Sequence, residues 1–296
     1  MALTLTEAAK LSNDVLLQGV IETVIKDSPV LQTLPFIEIV GNGLTYNREK
    51  AAPTVSFYSV GDTWAESTPT FTQLTATLSI LGGDADVDNY LATTRSNIQD
   101  LEVAVVQLKA RAIQHKFEDT FINGNTDTND DSFDGLDVLA TGDQALTMGQ
   151  DGGTLTLDKL DELIDSVKGG KPEMLLMSRR SRRKLNSLAR ASGSGVVVSD
   201  RDEFGQMVQY YDGIPVGVND WISDAQTVGN SADCSTIFAY QAGEGGLVGL
   251  TSPGGLQVER VGNLETKDAR RTRVKWYVSL ALFNTAKLAK LTGVRD

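Results

Sequence analysis

Apolar positions recur along this chain with two different periods. From Ser96 to Ile122 the period is helical: Ile98, Leu101, Val105, Leu108 and Ala112 fall on one stripe, extended by Ile113, Phe117 and Phe121. A helix of that span runs roughly 40 Å at 1.5 Å per residue. Ser96 with Gln99 makes a capping box, Asp100 and Glu102 suit the positive end of the helix dipole, and Gly124 is the expected stop. From Phe71 to Leu81 the period is two: Leu74, Ala76, Leu78 and Ile80 alternate with Gln73, Thr75, Thr77 and Ser79, as in a half-buried strand. Leu44–Glu49 is read as its partner in a long hairpin. The closing segment alternates again, with Thr272, Val274, Trp276, Val278, Leu280 and Leu282 on one side.

The tract between the two hairpin strands is too long for a tight turn and holds Phe57, Tyr58 and Trp64. Loops beyond roughly 12–15 residues are usually functional or disordered. Three aromatic rings argue for function, because apolar rings on a projecting loop need a surface to bury against. That surface is either their own body or a partner.

Shorter elements fill the rest. A first helix carries Leu11, Val15, Leu16 and Val20 on one face and ends near Lys26–Pro29, which gives it the look of an arm. After Thr154, helices alternate with short strands. Leu157–Val167 reads as a helix, Met174–Met177 as a buried strand, and Ser178 caps a basic helix over Arg179–Arg190 with Leu185 and Leu188 inward. Strands follow at Val196–Val198, Met207–Tyr211, Ile214–Val218, Ile237–Tyr240, Gly246–Leu250 and Leu256–Val261, the third of them after an Asp212-Gly213 turn.

Charge changes the picture. The 27 basic and 39 acidic residues give a formal net charge of −12. Residues 1–150 carry 8 and 21 of these (−13), residues 151–255 carry 10 and 14 (−4), and residues 256–296 carry 9 and 4 (+5). Nucleic-acid binding is disfavoured, because neutralising phosphates drives that affinity. An acidic front with a basic end suits head-to-tail contacts between copies. The cations to test for such contacts are Arg179, Arg180, Arg182 and Arg183 on the basic helix, and Arg270, Arg271 and Arg273 at the start of the closing strand. No segment approaches the roughly 18 apolar residues of a membrane-spanning helix, so no membrane partner is expected.

Candidate chemistry is sparse. One histidine (His115) and one cysteine (Cys234) exclude intramolecular disulfides and most triads and zinc sites. No phosphate-binding glycine motif sits between a strand and a helix. Asp84, Asp86 and Asp88 lack the glycine and terminal glutamate of a calcium loop and read as a solvated strand edge; the loop Asn125–Asp131 fails the same test. No catalytic residue, cofactor or metal is assigned.

The order of elements is nonetheless distinctive. Asn123-Gly124 ends the long helix, an acidic loop follows, and order resumes at Phe133-Asp134-Gly135-Leu136; the phrase Tyr211-Asp212-Gly213-Ile214-Pro215-Val216 comes later. In this the chain resembles the major capsid proteins of tailed bacteriophages, the Hong Kong 97-type fold, over nearly its whole length. The resemblance implies an α+β fold: an N-terminal arm (1–40), an extended β-hairpin or E-loop (41–83), a peripheral domain (84–153 and 254–296) around a spine helix (96–122), and an axial domain (154–253).

It also implies a structural, non-catalytic role. Many copies would form hexamers and pentamers that tile an icosahedral head shell around double-stranded DNA, held without sequence-specific binding, in the virion after assembly in the host cytoplasm. Phe57, Tyr58 and Trp64 would then meet a neighbouring subunit. A separate scaffolding protein, a portal and a decoration protein are the further partners implied. The family's lysine–asparagine crosslink is not expected, since Lys50 is the only lysine in the hairpin region and has no assignable partner. The alternatives are an encapsulin-type shell around a cargo enzyme and a two-domain α+β enzyme.

Overall fold

The computed structural model describes residues 29–51, 53–89, 98–193, 197–201, 207–243 and 245–296. The expected N-terminal helix and the Ser96 cap lie outside these residues. The chain begins with α1 (Pro29–Thr33), β1 (Phe36–Glu38), the hairpin strands β2 (Gly43–Ala51) and β3 (Thr70–Thr77), and β4 (Ser79–Asp88). The long helix α2 (Ile98–Asn123) and the short α3 (Leu136–Leu139) follow, then β5 (Ala145–Thr147), β6 (Gly153–Thr154), α4 (Leu157–Ser166), β7 (Met174–Met177) and α5 (Arg179–Ser192). The remainder is strand: β8 (Val197–Arg201), β9 (Met207–Tyr211), β10 (Ile214–Val218), β11 (Gln226–Val228), β12 (Ser231–Tyr240), β13 (Leu247–Thr251), β14 (Gln257–Asn263), β15 (Ala269–Leu282) and β16 (Leu288–Arg295).

β15 is the axis of a five-stranded sheet. Residues 269–278 of β15 pair with β4 on one side; on the other side lie β14 and then β13, which carries β1 in parallel at its far edge. The alternating apolar residues of β15 are buried as expected, from Thr272 to Leu282. They pack with Val106, Ala110, Ile113, Phe117 and Phe121 of α2. Phe117 is fully buried and touches the rings of Phe36, Phe121, Phe133 and Trp276. The helix is therefore rotated from the expected stripe: Leu108 and Ala112 face solvent, because the large rings at its C-terminal end set which side meets the sheet.

Phe71–Leu81 is not one strand. β3 pairs with β2 up to Thr77, β4 pairs with β15 from Ser79, and Leu78 between them donates its N–H to the Asn42 carbonyl. Leu74, Ala76 and Leu78 stay partly buried, but the change of partner shifts the alternation by one residue. Ile80 consequently points outward, 77% exposed, and Leu81 turns toward the core instead.

The second sheet has nine strands, ordered β5-β16-β12-β7-β10-β9-β8, with β6 beside β16 and β11 beside β12. β7 lies inside it and all four of its residues are buried. Leu175, Met177, Ile214, Val216, Ile237 and Leu291 meet α4 and α5 on one face, while Met174, Leu176, Phe238, Tyr240 and Leu288 join the α2 core on the other. The Asp212-Gly213 turn links β9 and β10 with both residues at positive φ (48° and 78°), as a two-residue hairpin turn requires. Two strands cross the boundaries expected from the order of elements. β13 belongs to the five-stranded sheet, and β16 crosses back into the nine-stranded one, because each completes hydrogen bonding with a strand distant in sequence.

Candidate intersubunit surfaces

Among the described residues, the hairpin holds many of the large apolar side chains left uncovered by the chain itself. Its strands pair from Gly43↔Thr77 out to Ala51↔Thr70. Beyond them residues 53–69 form a tip held by few contacts. Trp64 stacks on Tyr58 at 4.6 Å, the Ala65 N–H donates to the Tyr58 hydroxyl (3.1 Å), and the Thr54 N–H donates to Ser67 Oγ (2.9 Å). Val55, Phe57 and Val60 are essentially fully exposed and Trp64 is 77% exposed. Such apolar density on a projection is costly to leave in water.

The root of the hairpin is bolted down. Tyr46 donates its hydroxyl to the Leu282 carbonyl (3.2 Å) and packs edge-on against Phe283 at 5.0 Å. Arg48 donates Nε to the Phe283 carbonyl (3.2 Å) and Nη2 to the Leu282 carbonyl. Burial pushes the Tyr46 hydroxyl above its usual pKa. A cleft of about 530 Å³ opens beside this anchor, lined in part by Arg48, Thr77, Asp130, Asp134 and Thr141. Sequence reading missed the anchor; the signal was Arg48 standing in phase with Leu44 and Tyr46 on the inward side of β2.

The seven candidate cations divide. Arg271 grips Asp86 through Nε and Nη2 (2.7 and 2.9 Å), and Arg273 grips Asp84 in the same way (2.7 and 3.0 Å). Lys267 adds a contact to Asp86 at 2.6 Å, and Lys275 pairs with Glu259 at 2.8 Å across β14. Asp84 and Asp86 are thus rungs of a charge ladder, not a solvated edge, because the β4–β15 register sets each opposite an arginine. On α5, Arg179 pairs bidentately with Asp220 (2.5 and 2.7 Å). Arg180 lies between Asp224 and Asp296 and donates to the Asp233 carbonyl (2.7 Å), while Arg183 reaches Asp296 at 3.3 Å. Arg182 and Arg270 are exposed and have no ion-pair partner among the described residues.

The phrases around the end of α2 have a steric explanation. Gly124 ends the helix without a left-handed φ. A Cβ there would overlap the backbone carbonyl oxygens of Thr120 and Phe133, and one on Gly135 would overlap the Thr120 carbonyl. The returning loop packs directly on the helix end, sealed by Gly135 N–H donating to the Gly124 carbonyl at 2.9 Å.

This arrangement of spine helix, bolted hairpin and two sheets coincides with a sequence match: the profile of the phage capsid family matches residues 11–292. The chain belongs to the phage capsid family. None of the curated protein sequences matches it. Among solved structures, it is similar to the holo-SrpI encapsulin complex from Synechococcus elongatus PCC 7942, with 20% identity, TM-score 0.71, and 90% of this chain and 88% of that one covered. It is also similar to the capsid of a native GTA particle (14% identity, TM-score 0.65, 92% and 91% covered) and to a Mycobacterium phage Bobi structure (16% identity, TM-score 0.62, 91% of each covered). The fold is the Hong Kong 97-type capsid fold.

Consistent with a structural protein of the phage capsid family, polar groups in the core serve packing. Tyr240, fully buried, lies 3.3 Å from the Thr33 hydroxyl and donates to the Met174 sulfur (3.2 Å), and burial pushes its pKa up to about 12. Tyr211 donates to Asp161 (2.6 Å) and titrates well above its usual range, through burial first and that carboxylate second. His115 is an exposed helix residue facing the edge of Trp221. Among the described residues, no group of three His, Cys, Asp or Glu is placed to hold a metal.

Proposed function

We propose that this phage capsid family member is the major capsid protein of a tailed bacteriophage. Its copies form hexamers and pentamers that tile an icosahedral head shell around double-stranded DNA. The observation that carries the reading is the hairpin tip: Val55, Phe57, Val60 and Trp64 are exposed on a projection rooted firmly in its own body. A neighbouring copy supplies the surface they lack. The DNA is enclosed without sequence-specific binding, and a net charge of −12 keeps the chain's overall attraction to phosphates weak. The shell is assembled in the host cytoplasm and ends in the virion.

The encapsulin likeness favours a second reading, a shell around a cargo enzyme. The contents of purified particles separate the two. Negative-stain microscopy with nucleic-acid and protein analysis should show shells that hold nucleic acid or a scaffold. Shells built around a co-purifying enzyme would support the encapsulin reading instead.

A further inference from the structure

On the nine-stranded sheet, α4 and α5 bury Leu160, Leu163 and Ile164, and Leu185, into one core on the same face. α4 lies against β16 and reaches Tyr211 at the end of β9 through Asp161, while α5 lies against β10 and reaches the Val294 carbonyl of β16 through Arg180, so the two helices span the same strands of that face. Their charges are opposite. α4 carries four carboxylates and one lysine (−4 + 1 = −3); α5 carries six cations and no carboxylate (+6).

Neither set is fully paired among the described residues. On α4, Glu162 pairs with its neighbour Lys159 and Asp161 accepts from Tyr211, whereas Asp158 and Asp165 are exposed with no ion-pair partner among the described residues. On α5, Arg179, Arg180 and Arg183 are satisfied by aspartates of their own chain, whereas Arg182 and Arg190 are exposed without such a partner among the described residues. No ion pair joins α4 to α5 among the described residues. Five of the six cations, moreover, lie in the first six residues of α5, at the end of the helix dipole that favours anions.

We propose that the outer face of α5 in one copy docks against the outer face of α4 in the next, making a head-to-tail contact that closes rings of subunits. This rests on the capsid reading. Such a contact uses different patches on the two copies, so it propagates around a rotation axis and closes. Opposite ridges steer encounter and reject wrong registers. A phosphate backbone laid along α5 would meet the carboxylates of α4 on the same face, so another copy is the better-matched partner.

The test uses charge reversal and mixing. One variant carries Asp158→Lys and Asp165→Lys; the other carries Arg182→Glu and Arg190→Glu. The first sets two lysines of α4 against Arg182 and Arg190 of α5 and the second sets two glutamates of α5 against Asp158 and Asp165, so each alone should lower the yield of assembled particles about tenfold by like-charge repulsion at the contact. Mixed together they alternate around a ring with every contact complementary, so mixing should restore hexamer-based assemblies. Poorly folded variants would not rescue one another; the neutral pair Arg182→Gln and Arg190→Gln, expected to assemble at an intermediate yield, guards against loss of folding. Assembly of each reversed variant alone at the wild-type yield would overturn the inference, as would failure of the mixture to exceed either component. A wild-type protein that forms no particles would overturn the capsid reading itself.

Discussion

Asp84 and Asp86 face Arg273 and Arg271 directly across the β4–β15 ladder, and each carboxylate takes two hydrogen bonds from its arginine. Hydrogen bonds from Arg271, then from Lys267, hold the Asp86 carboxyl well below the usual carboxylate range. Because the folded pKa is depressed, this stabilisation is complete above the unfolded value of about 3.9 and fades as pH falls toward the folded one. Asp86→Asn should therefore be destabilising at neutral pH, and its gap to the wild type should close as the pH drops below about 4. Denaturation midpoints measured across that range check it; a gap independent of pH would refute the ladder's role. The alternation of these aspartates was plain in the sequence, but their partners were not, since the register that pairs them links residues about 185 positions apart. Gly124 was legible as a stop and misread in cause: the returning chain, not a left-handed turn, excludes a side chain there.

Among elements, long periodic segments were legible and their phases were not. The spine helix and closing strand were visible because their apolar residues repeat over many turns or alternations. The helix rotation escaped because Leu108 is as apolar as Val106, and only packing against Trp276 and Phe36 decides which is buried. The hairpin strands were visible too, but the shift at Leu78 reflects a change of partner that no local pattern encodes. The anchor of the hairpin makes its own prediction. Arg48→Ala removes the hydrogen bonds to the Leu282 and Phe283 carbonyls without touching either main core. Amide exchange over residues 43–77 should quicken by roughly tenfold, the equivalent of about 1.4 kcal/mol in local opening, while the melting temperature barely moves. Unchanged exchange would mean that Tyr46 and the strand ladder hold the root alone.

At the scale of the whole molecule, the order of elements identified the fold, whereas the crossing of β13 and β16 between sheets needed the structure. The candidate surface was legible where it is apolar, since Phe57, Tyr58 and Trp64 stood out in a tract with no core to join. It was less legible where it is charged: Arg271 and Arg273 find carboxylates at home, while Arg182 and Arg270 find none among the described residues. Replacing Tyr58 and Trp64 together by alanine should leave the isolated subunit folded and lower assembly yield by about tenfold or more, as loss of a clustered aromatic anchor does at other interfaces. Unchanged yield and shell stability would show that neither Tyr58 nor Trp64 buries against a neighbouring copy.

The most direct test of the central claim is particle mass by light scattering under assembly conditions. A shell-forming capsid protein should convert from its 31.8 kDa chain into particles of uniform, many-copy mass. A protein that stays at 31.8 kDa under every such condition would contradict the account.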